Sequence, residues 1–150
     1  MIGVKLHAEC HMYSADDPSL YPVIEEAVRL RSLVKIHAPA DETDRLADRF
    51  PEAAIIMCHM GGGGDWLKGI RTAKRRENII LDTASSCTEV GMVEEAVRAI
   101  GPQRIVYGSD MPLLNPRAQL EKIRTAEIEE EAKRLILGEN MAAILRLRRA

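Results

Sequence analysis

Aromatic residues are scarce in this 150-residue chain: Phe, Trp and Tyr together make up 3% of it. A surface that stacks nucleic-acid bases needs several such rings, so the composition argues against a base-stacking platform. The charge points the same way, because 21 basic and 23 acidic residues give a net charge of −2 and no positive excess for phosphates or anionic lipids. We therefore expect the chain to bind neither nucleic acid nor a membrane.

Long apolar runs and cysteine pairs are missing as well. No apolar segment approaches the roughly 20 residues that cross a bilayer, and the first residues, 1–5, lack the pattern of a signal peptide. The chain has three cysteines, Cys10, Cys58 and Cys87, which is an odd number and includes no CxxC spacing. This usage is typical of reduced thiols in a cytoplasmic protein and not of a disulfide scaffold.

The chain does have a repeated unit, in which a short apolar strand is followed by a polar loop and an amphipathic helix. The pattern predicts strands at 3–7, 33–37, 53–59, 78–82 and 103–107, and helices at 20–31, 41–49, 65–76, 90–100, 117–124, 128–137 and 140–148. Gly138 is expected to separate the last two helices. This alternation predicts right-handed crossovers and one parallel α/β sheet, in a single domain spanning 1–150.

Ionisable side chains stand where the predicted strands end. His7, His37 and His59 close the first three strands, and Asp110 follows the fifth after Gly108–Ser109. The carboxyl ends of parallel strands share one edge of the sheet, where α/β proteins keep their chemistry. A single strand-end histidine is more often structural, and a lone acid there can equally cap a turn. Histidines and an aspartate converging on one edge instead predict a functional site suited to Zn²⁺ or a similar divalent ion.

Several short segments, taken in order, resemble the amidohydrolase-related metal-dependent hydrolases, a family with a TIM-barrel fold. The segments are GVKLH (3–7), DP and LYP (17–22), VKIH (34–37), RFP (49–51), CHMGG (58–62), LDT (81–83) and GSDMP (108–112). The resemblance implies that the chain supplies strands 4–8, the C-terminal part of a (β/α)8 barrel. Five such strands cannot close a barrel of eight, so the fold is expected to be incomplete as a single chain.

The resemblance also implies roles for the strand-end residues. His37 corresponds to the metal ligand of the fifth barrel strand, and His59 to the sixth-strand histidine, a second ligand or a proton-transfer and substrate-polarising group. Asp110 corresponds to the eighth-strand aspartate, which binds the metal or its water and acts as general base. His7, and Lys5 on the same side of its strand, are expected to contact substrate. The implied cofactor is a divalent metal, Zn²⁺ first, with Mn²⁺ or Fe²⁺ as alternatives.

One part of the family pattern is missing. The family's first strand carries an HxH pair of metal ligands, and no HxH occurs in this sequence; His7 and His11 do not have the spacing to replace it. Two readings stay open for Lys5 besides a substrate contact, namely an exposed side chain and a carbamylated metal bridge. Gly61–Gly64 could cradle an anion, although a tight turn that passes close to the site is the better explanation.

The function that the resemblance implies is that of a metal-dependent hydrolase, in which water activated on a divalent metal attacks an amide, ester or lactone of a small molecule. Two alternatives remain open: non-oxidative decarboxylation, which some members of the family perform, and a non-catalytic oligomeric half-barrel that has lost the metal site. The open sheet edges predict association, either between copies of the chain or with a complementing N-terminal chain.

Overall fold

A computed structural model describes residues 2–62, 64–87 and 89–147. The strands form one five-stranded sheet in the order β1-β2-β3-β4-β5, and each pairs in parallel with the next. Their bounds are β1 (Gly3–His7), β2 (Leu33–His37), β3 (Ile55–Met57), β4 (Ile79–Asp82) and β5 (Ile105–Val106). The predicted single parallel α/β sheet is therefore confirmed, with its strands in chain order as in a segment of a barrel.

Helices connect the strands, and three more follow β5. They are α1 (Ala8–His11), α2 (Tyr21–Arg29), α3 (Ala40–Arg49), α4 (His59–Gly62), α5 (Trp66–Arg75), α6 (Met92–Ile100), α7 (Pro116–Arg124), α8 (Glu130–Arg134) and α9 (Asn140–Leu147), with 3-10 turns at Pro18–Leu20 and Pro102–Arg104. Across the three described ranges, no helix has both the length and the apolar character that a bilayer span requires.

The two faces of the sheet differ because successive residues of a strand point to opposite sides. One face packs against α2, α3, α5 and α6 and forms the main core. Its fully buried side chains are Val34, Ile36, Ile55, Met57, Ile79, Leu81 and Ile105. We call this side the helix face, and the opposite side, which carries Lys35 and His37, the polar face.

The polar face has an apolar part of its own, which α9 covers. Leu33, Ile56 and Val106 are buried there, and Met141 and Ile144 of α9 pack against them. Leu33 is the first residue of β2 and Ile56 the middle residue of β3, so both come before the histidines at the carboxyl edge. The last helix therefore closes the amino-terminal part of the polar face, and the chemistry-bearing residues lie at the other end.

Several boundaries differ from the predictions made from the sequence. β3 ends at Met57, so His59 lies two residues beyond the strand and not at its end. The strand predicted at 103–107 is shortened to Ile105–Val106, because Pro102 has no amide for a ladder and begins a 3-10 turn. The helix α1 was not predicted, since one turn is too short to show helical periodicity.

The prediction that Gly138 separates the last two helices is wrong. A π-helical turn at Leu135–Glu139 joins α8 directly to α9. A glycine within a helix costs only about 1 kcal/mol relative to alanine, and the neighbouring Ile136 is 1% exposed in the core. Tertiary packing of that side chain outweighs the helix-breaking tendency of glycine. The predicted end at 148 lies outside the described residues.

Candidate functional site

Three histidine rings meet at the carboxyl edge of the sheet, the edge at which all five strands end. His7 and His37 stand opposite each other in the register of β1 and β2. Their rings stack with centroids 3.9 Å apart and an interplanar angle of 17°. The ring of His59 meets that of His37 edge-on, with centroids 4.6 Å apart. The structure thus brings together the three histidines that the sequence singled out.

His7 is tied to the helix that follows it. Its Nδ1 accepts a hydrogen bond from the backbone amide of Cys10 at 3.3 Å and so caps α1. The Sγ atom of Cys10 lies 3.5 Å from Nε2 of the same ring. Both ring nitrogens of His7 therefore have close neighbours within the chain, and the ring is fixed where it stacks on His37.

His59 is oriented by the loop after β4. Its Nδ1 is 2.7 Å from the carbonyl oxygen of Ala84, and the residue is 8% exposed. Because a carbonyl only accepts hydrogen bonds, Nδ1 carries the proton of the neutral ring and Nε2 keeps its lone pair. Such a contact fixes both the tautomer and the ring direction of a functional histidine. Ala84 was not among the predicted site residues.

The backbone turns sharply at His59. The φ angles of His59, Met60 and Gly61 are 55°, 51° and 117°, three left-handed residues in succession. A Cβ atom on Gly61 would lie 3.2 Å from Cα of Gly69, and one on Gly69 would lie 1.7 Å from the carbonyl oxygen of Met60. The predicted tight turn is therefore present at Gly61, where α5 packs directly against the backbone. Gly63 lies outside the described residues.

His37 is held in its neutral form. Burial is the main cause that lowers its pKa to about 4, and the charges of His59, His7 and Lys5 act in the same direction against an opposing effect of Asp110. At neutral pH the ring is uncharged, which is the state in which imidazole binds a metal or accepts a proton.

A layer of paired polar groups lies beneath the histidines on the polar face. Lys5 and Lys35 are register partners on β1 and β2. Lys5 Nζ donates to Cys58 Sγ at 3.1 Å, and Lys35 forms an ion pair with Asp82, whose side chain is 1% exposed. Burial opposes the charge on Lys35, but the Asp82 carboxylate raises the pKa of that lysine above its ordinary value. Lys35 was not predicted; its signal was the side-chain parity it shares with His37.

Asp110 follows β5 in a left-handed conformation, with φ 52°. Its backbone carbonyl accepts from Leu113 N at 2.9 Å, Ser109 Oγ accepts from Met111 N, and Asn115 caps α7. The turn and the helix are thus capped by other groups, which argues against the capping explanation for the Asp110 carboxylate. Its charge opposes, without overcoming, the burial that lowers the pKa of His37, so the Asp110 carboxylate acts electrostatically on that ring.

The donor types fit a divalent metal, but the described residues do not complete a site for one. Imidazole and carboxylate are ligands that Zn²⁺ and Mn²⁺ accept. Within residues 2–62, 64–87 and 89–147, however, no three His, Cys, Asp or Glu side chains are arranged so that they could hold a metal ion. His11 does not join the group, since its ring stacks with that of Tyr13. His37, His59 and Asp110 therefore do not form a complete metal site in the described part of the chain.

The sequence matches the family model described as amidohydrolase over residues 1–147. The chain belongs to the amidohydrolase family. An uncharacterized TIM-barrel protein from Bordetella bronchiseptica superposes with a TM-score of 0.78 at 20% identity, covering 91% of this chain and 53% of that one. The 5-carboxyvanillate decarboxylase of Sphingomonas paucimobilis gives a TM-score of 0.77 at 21% identity, covering 97% and 58%.

A third solved structure contains a metal. It is a dihydroxybenzoic acid decarboxylase from a Polaromonas species with bound manganese and the inhibitor 2-nitroresorcinol, and it superposes with a TM-score of 0.72 at 20% identity, covering 92% of this chain and 57% of that one. No curated protein matches the chain. The amidohydrolase chain spans somewhat over half the length of these structures. The predicted partial TIM barrel is therefore confirmed.

Proposed function

We propose that this amidohydrolase chain carries part of the active site of a metal-dependent enzyme that acts on a small molecule. The observation that carries the proposal is the contact of three imidazoles at the carboxyl edge of a parallel sheet, with ring centroids 3.9 Å and 4.6 Å apart. Side chains at this edge perform the chemistry of TIM-barrel enzymes. In the proposed roles, His37, His59 and Asp110 contribute ligands to a metal site that further protein completes, and His7 and Lys5 contact substrate.

The proposed metal is Zn²⁺ first, with Mn²⁺ and Fe²⁺ as alternatives; manganese in the Polaromonas decarboxylase supports a divalent ion. When bound, the metal would polarise the substrate and lower the pKa of water. The residues of this chain would supply the proton transfer and the contacts to substrate. Asp110 accepts a proton as general base, and His59 presents Nε2, since the Ala84 carbonyl occupies Nδ1. Lys5, on the same face as His7, places a positive charge beside the substrate.

Hydrolysis of an amide, ester or lactone is the reaction that we propose. Asp110 would take the proton of the attacking water and pass it to the leaving group, and His59 could accept a proton at Nε2 only where that atom does not bind the metal. Non-oxidative decarboxylation is the second candidate, and the likeness to two decarboxylases favours it. There the substrate is itself a carboxylate, and the same side chains would deliver a proton to the carbon that loses carbon dioxide.

We also propose that further protein completes the site, either another copy of the chain or a complementing N-terminal chain. The support is that β1 and β5 are the edges of the sheet, and that the described ranges alone do not assemble a metal site. An unpaired strand edge is a template for another strand. The rival proposal is a non-catalytic oligomeric half-barrel without a metal.

The test measures metal content and turnover on the same samples. The chain is loaded separately with Zn²⁺, Mn²⁺ and Fe²⁺, dialysed, and analysed for bound metal, oligomeric state, and turnover of lactone, ester, amide and hydroxybenzoate substrates. The proposal would be supported if the wild type turns over a substrate and Asp110→Asn abolishes that turnover. His11→Gln, the control outside the cluster, should leave the turnover intact. An oligomer that binds no metal, turns over no substrate and assembles equally well as Asp110→Asn would contradict it in favour of the half-barrel.

A further inference from the structure

Helix α7 is hydrogen-bonded to the loop that orients His59. Gln119 on α7 is 5% exposed, and its side-chain amide makes two hydrogen bonds to one residue. Its Oε1 accepts from Ser85 N at 3.2 Å, and its Nε2 donates to Ser85 O at 3.1 Å. Ser85 is itself buried, so loss of this pairing would leave its backbone N–H without this acceptor away from water, while its carbonyl would keep the hydrogen bond from Lys122.

The residue before Ser85 is fixed from the opposite side. Asp82 Oδ1 accepts a hydrogen bond from Ala84 N at 2.7 Å. Gly108 gives this carboxylate its space, because a Cβ atom at that position would lie 2.1 Å from Oδ1. Each backbone polar group of Ala84 and Ser85 is therefore engaged: the Ala84 carbonyl by His59, the Ala84 amide by Asp82, and both groups of Ser85 by Gln119.

The link between Gln119 and His59 is one peptide plane. The carbonyl of Ala84 and the amide N–H of Ser85 belong to the same planar trans peptide, so they point in opposite directions. Gln119 Oε1 holds the N–H on one side, and this fixes the direction of the carbonyl that receives the Nδ1 proton of His59 on the other. Rotation of this peptide would take the carbonyl away from the ring.

We propose that Gln119 is a positioning residue for His59: by clamping the Ala84–Ser85 peptide, it keeps the ring in the Nδ1–H tautomer and leaves the Nε2 lone pair for substrate or metal. Gln119 touches Ser85 and not the reacting groups, so it acts only through the loop. The inference rests on the proposed role of His59, but the tautomer that it concerns can be measured without turnover.

The test is the tautomer of His59 in the full chain, read from long-range proton–nitrogen NMR of the imidazoles. With four histidines in the chain, the variant His59→Gln assigns the signal. Gln119→Met removes the clamp at similar side-chain volume, and Gln103→Met makes the same change at an exposed glutamine. We expect Nδ1–H in the wild type and in Gln103→Met, and a substantial Nε2–H population in Gln119→Met. A folded Gln119→Met protein whose His59 stays wholly Nδ1–H would overturn the inference.

Two further variants serve if Gln119→Met does not fold. Gln119→Glu keeps an acceptor for Ser85 N, and Lys122→Met removes the other side-chain donor to Ser85 O, which Lys122 Nζ contacts at 2.5 Å. In both variants the Ser85 N–H keeps a side-chain acceptor at position 119, so His59 should keep the Nδ1–H tautomer. Loss of that tautomer in either one would overturn the role assigned to Gln119.

Activity gives a second readout in any preparation that turns over substrate. Loss of the groups that orient a functional histidine lowers activity by about 10- to 100-fold, so we expect that loss in kcat/KM for Gln119→Met and none for Gln103→Met. A wild-type protein with an Nδ1–H His59 but neither metal nor turnover would contradict the proposed function and leave the positioning by Gln119 intact.

Discussion

The two faces of the sheet put neighbouring residues of the same strands to different uses. On the helix face, Ile36 and Met57 are fully buried in the main core. The next residues, His37 at the end of β2 and Cys58 just after β3, stand on the polar face, where they join the histidine group and the Lys5 contact. Alternation of side chains lets a strand stabilise the fold with one set and carry chemistry with the other. Substitutions on the two faces should therefore separate loss of stability from loss of activity.

The largest effect is expected at the end of the polar face. Asp110→Asn removes the proposed general base and should lower kcat by about 10²- to 10⁴-fold, which corresponds to about 2.7–5.4 kcal/mol in the activation barrier. The free energy of unfolding should change by less than about 0.5 kcal/mol. Steady-state kinetics and urea denaturation of the same preparations measure both. Asp48→Asn, the same chemical change on an exposed residue of α3, is the control and should leave kcat unaltered.

On the helix face we expect a loss of stability instead of a loss of activity. Ile36→Ala removes a side chain that is 0% exposed, and such truncations lower the free energy of unfolding by about 2–5 kcal/mol through lost burial and the cavity left behind. Urea denaturation measures the change. Val23→Ala, at a residue that is 41% exposed, should change stability by less than about 0.5 kcal/mol. Equal losses in the two variants would contradict the assignment of this face as the core.

An intermediate effect is expected from the ion pair beneath the histidines. Lys35→Met leaves the Asp82 carboxylate, whose side chain is 1% exposed, without its cation. Because the Lys35 side chain is 41% exposed and water can partly replace it, we expect a loss of about 1–2 kcal/mol in the free energy of unfolding. Lys5→Met, whose partner is the thiol of Cys58, should cost less. A larger loss in Lys5→Met would reverse this ranking of the two lysines.

Strand alternation in the sequence predicts the face on which Lys5, His7 and His37 lie, because that pattern depends only on neighbouring residues. It does not predict how His59 is oriented. The carbonyl that fixes this ring belongs to Ala84, 25 residues further along the chain. The side chain of Gln119, 34 residues beyond Ser85, holds that peptide. Contacts at such separation exist only after folding, and glutamine on a helix carries no local signal of them.

The smallest effect on stability is expected from the ion pair between Asp16 and Arg45. The Arg45 hydrogen bond is the main cause that lowers the pKa of Asp16 to about 2, with further help from Ser14. Because the folded pKa lies below the usual value of 3.8, the pair stabilises the protein above about pH 4 and loses this contribution as the pH falls toward 2. The Arg45 side chain is 55% exposed, so solvent screening keeps the contribution below about 1 kcal/mol.

Urea denaturation of the wild type, Asp16→Asn, Arg45→Met and the double variant at pH 5, about one unit above the usual carboxyl pKa, and again near pH 2 tests this pair. Each single variant should lower the free energy of unfolding at the higher pH and flatten its dependence on acid, because each removes the same interaction. The double variant should lose no more than one of the singles, since the residues act as a pair. Additive losses would mean that Asp16 and Arg45 stabilise the protein independently, and the acid sensitivity would then belong to other carboxylates.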